Sequence, residues 1–222
     1  MDNIIQKSII NLFKRRNAPF HSEDQFKFLL AWQIALDNKD AKVLIEVPET
    51  INQKNVRIDI MVKINNQFIP IELKYKTKAF EYIDPDTGKS FSLKDQAATD
   101  IACYDFLRDI QKIESLMVSK EWKSKIQKGY AIMLTNVAAF WSGPRKGAFY
   151  EAFSLVKSKK AHDEYEWVRG VADGTKRGRE MPIVFNNDYD LSQDSWNTEH
   201  ALWRSKKGDS IQFKYIFVEV NK

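Results

Sequence analysis

A central mixed β-sheet flanked by helices, an α/β chain of α+β mixed type, is the fold class this sequence predicts. Three observations predict it. Val56 to Tyr75 falls into two halves of alternating apolar and polar residues about Asn65-Asn66. Helical periodicity precedes and follows that stretch, and a continuous apolar run, Tyr130 to Leu134, then has the look of a buried strand. Beyond it come short apolar segments separated by polar, glycine-bearing loops, which predict a β-rich C-terminal portion.

In chain order, Ile5, Ile9, Leu12 and Phe13 place a first helix over residues 3–14. Lys14-Arg15-Arg16 suit its C-terminus, where the helix dipole favours cations. After the break at Pro19, Ser22 and Gln25 form a capping box, and Phe26, Leu30 and Ile34 supply the core face of a second helix. Glu23 lies three residues before Phe26 and seven before Leu30, so it shares that face. An acid in a first turn also complements the dipole wherever it points. Val43–Val47 predicts a short strand that stops at Pro48.

The hairpin follows. Val56, Ile58, Ile60, Val62 and Ile64 alternate with Arg57, Asp59, Met61 and Lys63, and Ile69, Ile71, Leu73 and Tyr75 alternate with Phe68, Pro70, Glu72 and Lys74. Asn65-Asn66 tolerates the positive φ angles of a two-residue turn. With Ile64 facing Gln67, Asp59 falls directly opposite Glu72 and Arg57 opposite Lys74. Facing carboxylates have Cβ atoms about 5 Å apart and repel unless a charge compensates. A divalent cation bound by hard oxygen ligands is the natural compensation. Lys74 is two residues past Glu72 and projects from the same face. The bland alternative is a surface hairpin whose charges form a cross-strand network, which is common and worth little.

Residues 76–91, with Asp84-Pro85-Asp86-Thr87-Gly88, predict a turn-rich loop. Ser92 to Asp95 forms a second capping box, opening a long helix to about Ser119 with Gln96 in its first turn. Its apolar stripe is Ile101, Tyr104, Leu107, Ile110, Ile113 and Met117. Strands are predicted over Phe149–Val156, near Ile183–Phe185 and over Ile211–Val220, with a polar, poorly periodic stretch at 157–181.

The 222 residues suit one domain, 1–222, with a core at about 20–136 and the β-rich extension at about 137–222. A hydrophobic content of 43% with 13% aromatics excludes a disordered chain. The net charge of +5 suits a polyanionic partner without making the chain a basic arm. The single cysteine, Cys103, excludes an internal disulfide and a thiolate metal cluster and agrees with a cytoplasmic protein. No apolar run approaches a membrane span, and the N-terminus lacks a signal peptide's pattern. His21, His162 and His200 lack metal-ligand spacing. Lys157-Lys159-Lys160, Lys176-Arg177-Arg179, Lys206-Lys207 and the Ser142–Gly147 loop with Arg145-Lys146 are basic clusters that could track a phosphate backbone. Trp196 and Trp203 are expected to pack in the core rather than stack on bases.

Asp59, then twelve residues, then Glu72-Leu73-Lys74 resembles the core motif of the PD-(D/E)XK nuclease superfamily. The resemblance covers roughly residues 20–136 and implies a restriction-endonuclease-like core. Glu23 occupies the place of an upstream helical Glu, and Gln96 that of a Gln in the helix after the E-x-K strand. Ile58 stands where the motif's name has Pro. The resemblance implies a metal-dependent endonuclease acting on DNA. Asp59, Glu72, the carbonyl of Leu73 and Glu23 would hold Mg²⁺, with Mn²⁺ as a substitute. Lys74 would stabilise developing charge, and Gln96 would orient a phosphate or Lys74. Glu46, on the neighbouring strand, competes with Glu23 for the role of third acid. A homodimer would suit double-strand cutting. The alternative is a nuclease fold kept as a binding module for nucleic acid or a protein partner, without turnover.

Overall fold

The structure, a computed structural model, describes residues 4–16, 18–96, 98–197, 202–204, 208 and 210–222. Its elements in order are α1 (Ile4–Arg15), α2 (Glu23–Asp37), β1 (Lys42–Ile51), β2 (Lys54–Ile64), β3 (Gln67–Lys76), β4 (Phe80–Ile83), β5 (Ser90–Leu93), α3 (Thr99–Val118), β6 (Lys128–Thr135) and α4 (Ala139–Ser142). A 3₁₀ turn at Glu151–Phe153 follows, then β7 (Glu164–Tyr165), α5 (Asp173–Lys176), β8 (Ile183–Val184) and a second 3₁₀ turn at Gln193–Ser195. The chain closes with β9 (Trp196–Asn197), β10 (Leu202–Arg204), β11 (Ser210–Gln212) and β12 (Lys214–Asn221).

Six strands form the central sheet in the order β1-β2-β3-β6-β12-β9. It is mixed, because β3 and β6 run parallel while the other neighbours run antiparallel. A parallel pair needs a crossover, and α3 supplies it. α1 and α2 cover one face with Ile5, Ile9, Phe26, Leu30 and Ile34 on Ile60, Val62, Ile71, Leu73 and Tyr75. α3 covers the other with Phe106, Leu107, Ile110 and Ile113 on Ile58, Met61, Ala131 and Met133. This is the three-layer solution for a sheet apolar on both faces. A Cβ on Gly129 would meet Ile113 Cγ2 at 2.6 Å and Pro70 O at 2.9 Å, so α3 lies down on β6 only because that residue is glycine.

The hairpin turns as its sequence requires, with Asn65 at φ 48° and Asn66 at φ 66°. Ser22 caps α2 by accepting from Gln25 N at 3.1 Å. Several expectations need correction. β1 continues through Pro48 to Ile51 because it is an outer strand, where a missing N–H is tolerated. Residues 76–91 contain the β4 strand and open the β5 strand of a small hairpin, closed by Asp84, whose Oδ1 accepts from the N–H groups of Asp86 and Thr87 and from Thr87 Oγ1. Ser92 therefore pairs in β5 with Glu81 instead of capping a helix, and α3 begins at Thr99. Phe149–Val156 is no strand: its apolar residues Phe153 and Leu155 enter the core beneath α3 from the 3₁₀ turn. The final strand splits, Ile211 and Gln212 belonging to β11, Phe213 to neither strand, and the rest to β12.

One buried polar group ties the extension to α3, and another braces the extension from within. Glu114, 2% exposed, accepts from the N–H groups of Asn186 and Asn187 and from the Tyr189 hydroxyl. Lys159, also 2% exposed, donates to the carbonyls of Ser154 and Lys157 and lies over the Tyr165 ring. Burial lowers its pKa to about 8. Between that value and the ordinary lysine range the unfolded chain binds the proton that the folded one has released, so stability rises with pH there. Lys159→Met should remove up to ~3 kcal/mol of that rise between pH 8 and 10.5. Urea denaturation of both proteins across the window measures it, and parallel profiles would refute it.

Candidate active site

The pairing of β2 with β3 follows the expected register from Ile64↔Gln67 to Ile60↔Ile71 and stops there. Asp59 and Glu72 are therefore not a ladder pair, and Arg57 lies opposite Pro48 of β1 rather than Lys74. β3 runs on beside β6 as far as Lys76, leaving its other edge unpaired by backbone. Two carboxylates fill the gap. Asp59 Oδ2 accepts from Leu73 N at 2.8 Å, and Glu23 Oε2 accepts from Tyr75 N at 2.7 Å. Buried N–H groups need partners, and acids from β2 and α2 provide them. Stacked and tilted rings of Phe13, Phe20, Phe26 and Tyr75 seat α2 so that Glu23 reaches β3.

The strands part because β1 and β2 both kink at this point. Their pairing passes from Ile45↔Ile60 to Val47↔Ile58, skipping Glu46 and Asp59. Glu46 has φ 54°, a left-handed conformation that costs a non-glycine residue roughly 1–2 kcal/mol. Ile60 and Val62 pack beneath α1 and α2, whereas Ile58 packs beneath α3. The apolar run Val56 to Ile64 thus changes faces at Asp59, and strain of this kind gathers where side chains are aimed for function.

Lysines thread the acids. Lys27, from the buried side of α2, bonds Glu46 and lies 3.2 Å from Asp24 Oδ1 and 3.5 Å from Asp59 Oδ1. Glu72 is 2% exposed on the α3 face, where Lys112 Nζ meets its Oε2 at 2.6 Å. Lys112 also donates to Arg57 O at 3.1 Å and lies 3.6 Å from Asp109 Oδ1. Lys74 Nζ is 2.6 Å from Asp109 Oδ2 and donates to Leu73 O at 3.4 Å. Burial, then the charges of Asp109 and Asp59, hold the Glu72 carboxyl well above the usual carboxylate range despite Lys112. Burial likewise raises Glu23, against the Tyr75 N–H and the charges of Lys74 and Lys76. Burial pulls Lys74 down, but Asp109 outweighs it and leaves the ammonium more firmly protonated than usual.

Asp109, Lys112 and Lys27 went unnoticed in the sequence, although each is a charge set among apolar residues of a helix. Beside Asp109 and Lys112 opens a cleft of about 370 Å³ that also exposes Lys54 and Arg108. Gln96 is exposed in the coil before α3, its N–H bonded to Thr77 O, because the helix starts later than its pattern predicts. Arg145 and Lys146 are exposed, as is Arg177, and Lys176 is half-buried in α5. Arg179 is spent on Asp105 through both forks of its guanidinium. Lys157 pairs with Glu151 and Lys160 with Asp188, and the burial of Lys159 removes it from any phosphate-tracking surface. Trp196 is in the core, its Nε1 donating to Leu155 O. Lys206, Lys207 and His200 and the side chain of Trp203 lie outside the described residues.

Among the described residues, no group of three or more His, Cys, Asp or Glu side chains stands ready to hold a metal ion. Ammonium groups take the places beside the carboxylates. Yet Glu72 Oε1 is buried and finds no hydrogen-bond donor among the described residues. Glu23, Asp59, Glu72 and Asp109 offer oxygen alone, the donor set of a hard divalent cation. No helix among the described residues is long and apolar enough to cross a membrane. No family model matches the chain, and neither a curated protein nor a solved structure matches it.

Proposed function

We propose that the chain is a metal-dependent nuclease of the PD-(D/E)XK type, with a restriction-endonuclease-like core, that hydrolyses the DNA backbone in the cytoplasm. The observation that carries this reading is Glu72, fully buried with one oxygen lacking a donor, beside Asp59 and Lys74 where β2 and β3 part. A fold gains nothing from an unsatisfied buried carboxylate, and perturbed acids gather at functional sites. The donor chemistry suits Mg²⁺, or Mn²⁺ in its place, held by Asp59, Glu72 and Glu23 with the Leu73 carbonyl. When bound, the ion supplies a water of lowered pKa and neutralises phosphate charge. Lys74, steadied by Asp109, donates to the phosphate oxygen on which negative charge grows. Lys54 and Arg108 in the adjoining cleft take flanking phosphates without reading sequence. Lys112, 2.6 Å from Glu72 Oε2, balances the charge of that carboxylate.

Plasmid DNA incubated with the protein should be nicked or cut with Mg²⁺ or Mn²⁺ and left intact with EDTA. Asp59→Ala and Lys74→Ala should each reduce cleavage by about 10²- to 10³-fold. Failure to cut duplex, single-stranded or branched DNA with either ion would overturn the proposal. One observation favours a second reading, a nuclease-like module that binds without turnover: Asp59 and Glu72 already carry an ammonium or N–H partner. That module would bind nucleic acid without metal, salt-sensitively, and equally well after Asp59→Ala.

A further inference from the structure

The outward face of α2 is apolar where a surface helix is normally charged. Its exposed positions are Asp24, Phe28, Trp32, Ala35 and Leu36. Phe28 is 53% exposed, Trp32 67% and Leu36 53%, and they follow one another every four residues as a single ridge. Ile45 of β1, 37% exposed, stands on the same side of the sheet, since its partner Ile60 packs beneath α2. Only Asp24 on this helix face carries a charge. The helix's one lysine, Lys27, is turned inward on Glu46 and Asp59.

We propose that this ridge is the interface of a homodimer. A nucleic acid would need cations to meet its phosphates, and the face has none to offer. A second copy meets its chemistry directly. Two α2 helices packed antiparallel about a two-fold axis at Trp32 set Phe28 of one copy against Leu36 of the other, and the converse. Rows of residues spaced by four interdigitate at a crossing angle of about −50°, the commonest helix-packing class. A two-fold contact needs such a self-complementary patch.

The areas agree. The four side chains leave on the order of 400 Å² of apolar surface, near the apolar share of the ~800 Å² that each partner brings to a standard interface. The neighbouring sheet edge is a poorer candidate. Pro48 lacks an N–H and Glu46 breaks the strand with its left-handed backbone, devices that keep an edge from pairing. Dimerisation through α2 does not depend on the nuclease reading.

Sedimentation of the full chain at about 100 µM should give twice the 25.9 kDa protomer mass. Trp32→Glu and Leu36→Glu should each weaken association at least tenfold, with the melting temperature of the dilute, dissociated protomer unchanged, because both side chains are in solvent there. Trp32→Cys, at the axis, should form a disulfide-linked dimer on oxidation, the buried Cys103 taking no part. A monomer at that concentration would overturn the proposal. So would a dimer that survives both glutamate substitutions, or one that forms only when DNA is added.

Discussion

Glu72→Gln is expected to reduce divalent-dependent DNA cleavage by roughly 10³-fold while the protein stays folded. The amide keeps the shape of the side chain but brings no charge to a cation. Stability should change little or rise. Burial penalises the charged carboxylate and raises its pKa, and a neutral amide escapes that desolvation. Lys112 loses its partner, but its side chain is 22% exposed and lines the cleft, so it can turn to water. Cleavage across a Mg²⁺ series and a thermal melt separate the two effects, and unimpaired cutting would remove Glu72 from the site. The sign of the pH dependence follows. Glu72 and Glu23 are protonated below their raised pKa values, so cation loading and cleavage should fall as pH drops through a window above the ordinary carboxylate range. Stability should move the other way, because the cost of burying their charges lapses once they are protonated.

Glu114→Ala should destabilise the chain by about 3–5 kcal/mol, the range for removing one partner from a buried charged network. The carboxylate accepts from two backbone N–H groups, the Asn187 side chain and the Tyr189 hydroxyl, all of which would lose their acceptor together. Burial, and next to it Glu114, keep that hydroxyl from ionising in its ordinary range. Glu114→Gln should cost less, since an amide oxygen still accepts. Urea denaturation gives the difference, and a loss below about 1 kcal/mol would mean that the extension is anchored elsewhere.

Much of the frame is legible in the sequence. Asn65-Asn66 set the hairpin register, which holds from Ile64↔Gln67 to Ile60↔Ile71. Ser22 announced α2, and Phe26, Leu30 and Ile34 are all fully buried. The errors also have local causes. Ser92-Leu93-Lys94-Asp95 satisfies the pattern of a capping box, but Phe80 and Tyr82 sit where they can pair with Leu93 and Phe91, so a hairpin takes the segment. Gln96 leaves the helix for the same reason.

The charged cluster divides along the same line. Asp59, Glu72 and Lys74 stood out because residues on paired strands have positions that can be counted. Glu23 stood out because helical spacing put it on a buried face. Those are relations among near neighbours in the chain. Whether Asp59 would face Glu72 depended on the kink at Glu46, and no periodicity announces a left-handed residue inside a strand. Lys112 meets Glu72, and Asp109 meets Lys74, across dozens of residues, because Gly129 lets α3 settle on the sheet at that height. Spacing along the chain could name the acids; the docking of α3 and α2 on the sheet chose their counter-ions, since only packing brings such distant charges within reach of one another.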